Sequence, residues 1–284
     1  MSAILHPATR LGAVSLRISD LGQSVRFYTE VVGLRMLRQH GRVAELTADG
    51  RETLLTLEEI EGFEESGART AGLYHFAILV PDRVSLGLAL RNLLAHHISV
   101  GQGDHLVSEA LYINDPDSNG IEIYADRPRE TWKRDAQGEY IMATDPVDID
   151  GLLALSADKE WNGLPEDTVI GHVHFHVSDL RQARAFYCDT LGFELTAHYG
   201  GAALFISAGG YHHHIGLNTW AGTGIPNTPP HAAGIESFTI VLPSEEELQA
   251  VTGRIREAGL TTVQREGAWF VQDPSDIWIR LLAA

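Results

Sequence analysis

The sequence predicts an α+β fold of four βαβββ modules arranged as two tandem repeats. Three observations predict it. Asp20-Leu21, Phe27-Tyr28 and Gly33-Leu34 return as Asp179-Leu180, Phe186-Tyr187 and Gly192-Phe193, each pair 159 residues apart. A fainter echo links Gly72-Leu73-Tyr74-His75-Phe76 to Gly234-Ile235-Glu236-Ser237-Phe238, 162 residues on, and Asp115-Pro116 to Asp273-Pro274, 158 residues on. Each unit also reads as one strand, one helix and three strands.

In the first unit, Val14 to Leu21 alternates like a strand and ends in Ser19-Asp20, a helix N-cap pair. Gln23 to Val32 reads as an amphipathic helix stopped by Gly33. Strands follow over 34–38, 42–48 and 53–58, separated by Gly41 and Asp49-Gly50. The modules cover 10–62, 70–128, 169–222 and 232–284. They divide the chain into an N-terminal half, 1–128, a polar connector, 129–168, and a C-terminal half, 169–284. A short helix is expected over 148–157 in the connector.

Composition narrows the function classes. A hydrophobic content of 44% with 21% charged residues fits a globular chain with a sizeable core. The formal net charge of −17 argues against nucleic acid or an anionic membrane as a partner. The lone Cys188 excludes an internal disulfide and suits a reducing cytoplasm. Met1 to Leu16 has no signal-peptide pattern, and no stretch approaches the roughly 20 apolar residues of a membrane helix.

One stretch stands out: Ile170-Gly171-His172-Val173-His174-Phe175-His176. On a strand, residues 172, 174 and 176 share one face. Histidine is the commonest metal ligand, yet three same-face strand positions spread over roughly 13 Å, too far to grip one ion together. The strand alone leaves open which of the three binds an ion and which are hydrogen-bonding or core residues.

These features resemble the vicinal oxygen chelate superfamily, which includes glyoxalase I, bleomycin-resistance proteins and extradiol ring-cleaving dioxygenases. The resemblance rests on the four-fold unit, the two Asp-Leu…Phe-Tyr helices and the run Asp115-Pro116-Asp117-Ser118-Asn119-Gly120-Ile121-Glu122-Ile123-Tyr124. The stretch from Gly209 to Trp220, with His212-His213-His214, looks like the catechol-2,3-dioxygenase branch. The resemblance implies modules paired into half-barrel cups that hold a divalent metal, with ligands on the first and last strands. The corresponding positions are Ala13 and Thr56 in module 1, His75 and Glu122 in module 2, His172 and Gly216 in module 3, and Ser237 and Arg280 in module 4. Modules 1 and 4 offer no ligand set. The metal is therefore expected at His75, Glu122 and His172, in a cup shared by modules 2 and 3. That composition is the facial triad of non-haem Fe(II) oxygenases, with Mn(II) as the alternative ion.

The same resemblance gives His214 an acid/base role and Tyr112 a hydrogen bond to substrate, although a strand tyrosine equally serves packing. His105, in Gly103-Asp104-His105 before that strand, and His174 are expected in the substrate pocket, and Trp220 and Trp132 are wall candidates. The implied activity is extradiol cleavage of a catechol-type aromatic diol by O2, both oxygen atoms entering the product, in a self-associating chain. Ring cleavage of a hydroquinone, a glyoxalase-like lyase and a metal-free binding protein of the bleomycin-resistance type are the alternatives. Gly216, where a fourth ligand would sit, speaks against the lyase.

Overall fold

The computed structural model describes residues 4–64, 69–265 and 267–284. Module 1 contains β1 (Arg10–Ile18), α1 (Leu21–Arg26), β2 (Arg35–His40), β3 (Val43–Thr47) and β4 (Leu55–Glu59). Module 2 contains β5 (Gly72–Leu79), α2 (Arg83–Ala95), β6 (Gly101–Asp104), β7 (Ser108–Asn114) and β8 (Gly120–Asp126). The connector forms α3 (Ile149–Ser156). Module 3 contains β9 (Val169–His176), α4 (Leu180–Arg184), β10 (Glu194–Tyr199), β11 (Ala203–Ser207) and β12 (Ile215–Asn218). Module 4 contains β13 (Gly234–Leu242), α5 (Glu245–Glu257), β14 (Val263–Arg265), β15 (Ala268–Gln272) and β16 (Trp278–Ala283).

The four first helices start where a side-chain oxygen accepts an otherwise orphaned backbone N–H. Asp20 caps Gln23, Asp82 caps Ser85, Asp179 caps Arg181 and Gln182, and Ser244 caps Glu247. Each such cap is worth about 1 kcal/mol. The first helix differs from the uniform α-helix expected over Gln23 to Val32. It begins at Leu21 and widens into a π-helical stretch over Phe27–Val32. α4 does the same over Ala185–Leu191. The widened turns close on Gly33 and Gly192, whose φ angles of 95° and 100° are costly for any side-chain-bearing residue.

Two eight-stranded sheets result, with strand orders β14-β15-β16-β13-β1-β4-β3-β2 and β10-β11-β12-β9-β5-β8-β7-β6. Each sheet therefore joins modules from opposite halves of the chain: 4 with 1, and 3 with 2. At the seams β1 runs antiparallel to β13, and β5 antiparallel to β9. Period-2 alternation divides every central strand between two environments. Val173 and Phe175 of β9, Phe76 and Ile78 of β5, and Ile121 and Ile123 of β8 turn into one continuous core. The two sheets meet there, where the Phe175 and Phe238 rings lie 5.5 Å apart. The residues of opposite parity line the concave face.

The repeated tyrosines and aspartates are partners. Tyr28, in the π-helical stretch that follows α1, donates to Asp115 Oδ2 (2.9 Å), and Tyr187 donates to Asp273 Oδ2 (2.8 Å). All four side chains are buried. Each Asp also accepts two backbone N–H groups of its own Asp-Pro turn: Asp117 and Asn119 for Asp115, Ser275 and Ile277 for Asp273. The helix of one module is thereby tied to the turn before the last strand of the next. Removing the donor from such a buried acceptor costs about 1–3 kcal/mol. Tyr187→Phe and Tyr28→Phe are each expected to lower the unfolding free energy by about that amount in urea titrations. Unchanged midpoints in both variants would show that these bonds carry no net stability.

Candidate metal centre

Three strands of the second sheet converge on one point. Ala77 of β5 faces Glu122 of β8 on one side and His172 of β9 on the other. Its methyl side chain leaves room for both neighbours to lean across β5, where His75 stands two residues earlier on the same face. Glu122 Oε2 lies 3.0 Å from His75 Nε2 and 3.1 Å from His172 Nε2. One ligand atom from each residue lies within 4.8 Å of the others. Cis ligands about 2.1 Å from a shared ion stand roughly 3 Å apart, so the donor set fits a divalent metal.

The hydrogen bonding supports that fit. His75 Nε2 is buried with no hydrogen-bond partner, although Glu122 approaches it closely, and His172 Nδ1 is equally unpartnered. Buried polar atoms are rarely left so, and the His75 nitrogen, which faces the donor set, marks a place built for something else to bind. The protonation states suit ligands as well. Burial raises the Glu122 carboxyl, but the charges and hydrogen bonds of His172 and His75 outweigh it and hold the group well below the usual carboxylate range. Burial pushes His75 down against the pull of Glu122, favouring the neutral imidazole that a metal needs. Among the described residues this is the one group of three His, Cys, Asp or Glu side chains placed to share an ion.

The cluster forms the floor of a cavity of about 420 Å³, the size class of a small-molecule site. Tyr112, His105 and His174 line it. The Ala143 carbonyl can only accept, so it takes the Nδ1–H of His105 (2.7 Å). His105 Nε2 is left to accept from the Tyr112 hydroxyl at 2.6 Å. Burial, reinforced by the Glu122 charge, raises Tyr112 well above the ordinary phenol range and keeps that proton in place. Asn218 orients His174 in the same manner. Its Oδ1 accepts the backbone N–H of Trp220 (2.9 Å) and the Nδ1–H of His176 (2.7 Å). Its Nδ2 therefore donates to His174 Nε2 (3.0 Å). Trp220 lines the cavity, whereas Trp132 lies behind it, against Tyr140, Tyr211 and His212.

Two sequence expectations change. His214 does not reach the cavity. Its Nδ1 accepts the Ala208 N–H (3.2 Å), its ring lies against Tyr211, and burial pushes its pKa down to about 3. The resemblance implies an acid/base role for it, but β12 begins only at Ile215, so His214 lies just before the regular strand. The preceding residues form an irregular turn after Gly209 and Gly210, both at positive φ, and it is His213 that enters the cup. The His213 ring packs 4.1 Å from that of His172. Second, the connector is more than a link. Met142, Ala143 and Thr144 form part of the cavity wall, and Asp145 pairs with Asp104 at the edge of the sheet. The polar stretch carried no sequence signal for that role.

Gly216 does occupy the fourth position. It pairs with His174 across β12 and β9, and a Cβ there would meet the His174 ring at 2.7 Å. No side chain from this position reaches the floor. In the first sheet the equivalent residues are Ala13, Thr56, Ser237 and Arg280, which do not compose a metal site.

Comparisons with known proteins agree with this architecture. The model of the glyoxalase/bleomycin resistance protein/dioxygenase superfamily matches residues 10–123 and again 169–281. A catechol-2,3-dioxygenase of Bacillus subtilis (strain 168) is 52% identical over 272 residues, covering 95% of each chain. Among solved structures, a putative dioxygenase from Bacillus subtilis superimposes with a TM-score of 0.65 at 13% identity, covering 99% of this chain and 86% of that one. Glyoxalase I from Zea mays gives 0.59 at 16% identity, covering 97% and 92%. These two likenesses concern the fold alone. Among the described residues no helix is long and apolar enough to cross a membrane. With two matches that span most of its length, the chain belongs to the glyoxalase/bleomycin resistance protein/dioxygenase superfamily, of the vicinal oxygen chelate fold.

Proposed function

We propose that the protein is an Fe(II)-dependent extradiol dioxygenase that opens the ring of a catechol-type diol with O2. The observation that carries this reading is the buried His75–Glu122–His172 set, with its unpartnered imidazole nitrogen, at the floor of a small-molecule cavity. Two imidazoles and one carboxylate make the facial-triad composition of Fe(II) oxygenases. The relative named as a catechol-2,3-dioxygenase adds support for substrate class. His75, Glu122 and His172 would hold the iron, which would supply the electron exchange between diol and dioxygen.

The chain's own groups do the rest. His213, beside His172, accepts the proton that a diol hydroxyl must lose on binding and later returns it to the product. Tyr112 and His105 form one hydrogen-bonded unit along a second wall and fix the orientation of a substrate oxygen. His174, held from behind by Asn218, and Trp220 flank the aromatic ring. Residues 142–144 of the connector narrow the cavity and exclude water. Gly216 and the His174 ring close the fourth position to a further protein ligand, which disfavours a four-ligand lyase. We place the enzyme in the cytoplasm on its single, half-buried Cys188.

Anaerobic loading with Fe(II), followed by catechol and O2, is expected to give stoichiometric oxygen uptake and a yellow ring-opened product. No uptake with any aromatic diol would overturn the reading. His172→Ala should lose both bound iron and turnover, and chelation of iron from the native enzyme should abolish turnover until Fe(II) is restored. His213→Gln should lower kcat about 10²–10⁴-fold, the range for loss of a general acid–base group, while His214→Gln should remain near native. The reverse pattern in steady-state kinetics would return the role to His214.

A further inference from the structure

The histidine run 212–214 is only partly explained by His213 entering the cup. His212 is fully buried, and both of its ring nitrogens are engaged. Its Nε2 lies 2.9 Å from Asp126 Oδ1, and its Nδ1 lies 2.8 Å from His213 Nδ1. Asp126 ends β8 on the same face as Glu122 and Tyr124, four residues beyond the metal ligand. Its carboxylate also accepts the Tyr211 hydroxyl (3.2 Å), which in turn accepts from Tyr124 (2.7 Å). Trp132 of the connector closes over the His212 ring.

We propose that Asp126 and His212 are positioning residues that fix the tautomer of His213, presenting its bare Nε2 to the cup. The role given to that nitrogen rests on the dioxygenase reading; the tautomer does not. A carboxylate only accepts, so His212 carries its proton on Nε2. With that proton placed, a neutral His212 has a lone pair at Nδ1, and the short contact to His213 requires His213 to donate from its own Nδ1. The proton of a neutral His213 is then used at the back of the site, and Nε2 is left as an acceptor on the cavity side. An imidazolium at His212 would instead donate to His213 and leave the His213 proton on Nε2, the outcome that the labelled-histidine spectrum tells apart. Such a second-layer contact sets which imidazole nitrogen is free, as hydrogen bonding to the other nitrogen does in general. In the proton step the diol O–H bond breaks, its electron pair stays on oxygen, and the proton binds Nε2. The imidazolium so formed keeps its Nδ1–H on His212, whose ring the Asp126 carboxylate polarises. Asp126 is 26% exposed, so the network ends where water can reach it.

The test is two-bond 1H–15N NMR of the full chain labelled at histidine, with Zn(II) as a diamagnetic occupant. His213 is assigned by the signal lost in His213→Gln. The expected spectrum shows a protonated Nδ1 and an unprotonated Nε2 at His213. In Asp126→Ala the Nε2–H form should appear, and the iron-loaded variant should lose at least about tenfold in kcat with KM within about threefold of native. A native His213 protonated at Nε2 would overturn the proposal, and so would a tautomer indifferent to Asp126→Ala. The native spectrum decides even where the variant does not fold. A correct tautomer in a protein inactive towards every diol would leave this inference standing and sink the dioxygenase reading.

Discussion

The structure depends on the antiparallel seam between β5 and β9. That pairing joins the second module to the third, across the middle of the chain, and no ligand set exists without it. His75 and Glu122 come from one side of the seam and His172 from the other. The register sets Ala77 opposite His172, with Glu122 facing the same residue from β8. A one-residue slip would turn His172 into the core and Val173 into the cup. The alternation of core and cup residues along β5, β8 and β9 makes that slip costly, because Phe76, Val173, Phe175 and Ile121 would lose their burial.

The site follows a division of labour between strand and loop. Strands carry the three candidate ligand residues, whose relative positions the ladder fixes. The groups to which we assign protons and substrate are held by hydrogen bonds with defined donors. A backbone carbonyl at Ala143 sets His105, a backbone N–H at Trp220 sets Asn218 and through it His174, and a carboxylate at Asp126 sets His212. His105 and His174, and on our proposal His213, thus have their tautomers prescribed from outside the cavity. A site crowded with histidines needs this, since an imidazole free to exchange tautomers presents a donor and an acceptor in turn.

Much of this was legible in the sequence. Offsets of 158 to 159 residues between Asp-Leu, Phe-Tyr and Asp-Pro repeats reveal the duplicated modules, and period-2 parity places His172 and His174 on one face. The ligand positions came from resemblance to a family, and the loss of ligand types at Ser237 and Arg280 pointed to the cup shared by modules 2 and 3. What escaped was set by irregular backbone. Strand parity does not hold through the turn at residues 209–214, so His213 and His214 exchanged places. Asn218 and Asp126 act through partners 44 and 86 residues away, and Met142 to Thr144 form a wall without any periodic pattern. The Tyr28–Asp115 and Tyr187–Asp273 bonds were present as repeated letters, but only the fold shows that the repeated residues bind each other.

The most direct test of the central claim is a crystal structure of the Fe(II)-loaded protein with anomalous data at the iron edge. The account predicts one anomalous peak per chain, bonded to His75, Glu122 and His172, and none in the sheet of modules 1 and 4. A peak in that other sheet, or a fully loaded protein with no iron between β5, β8 and β9, would contradict it.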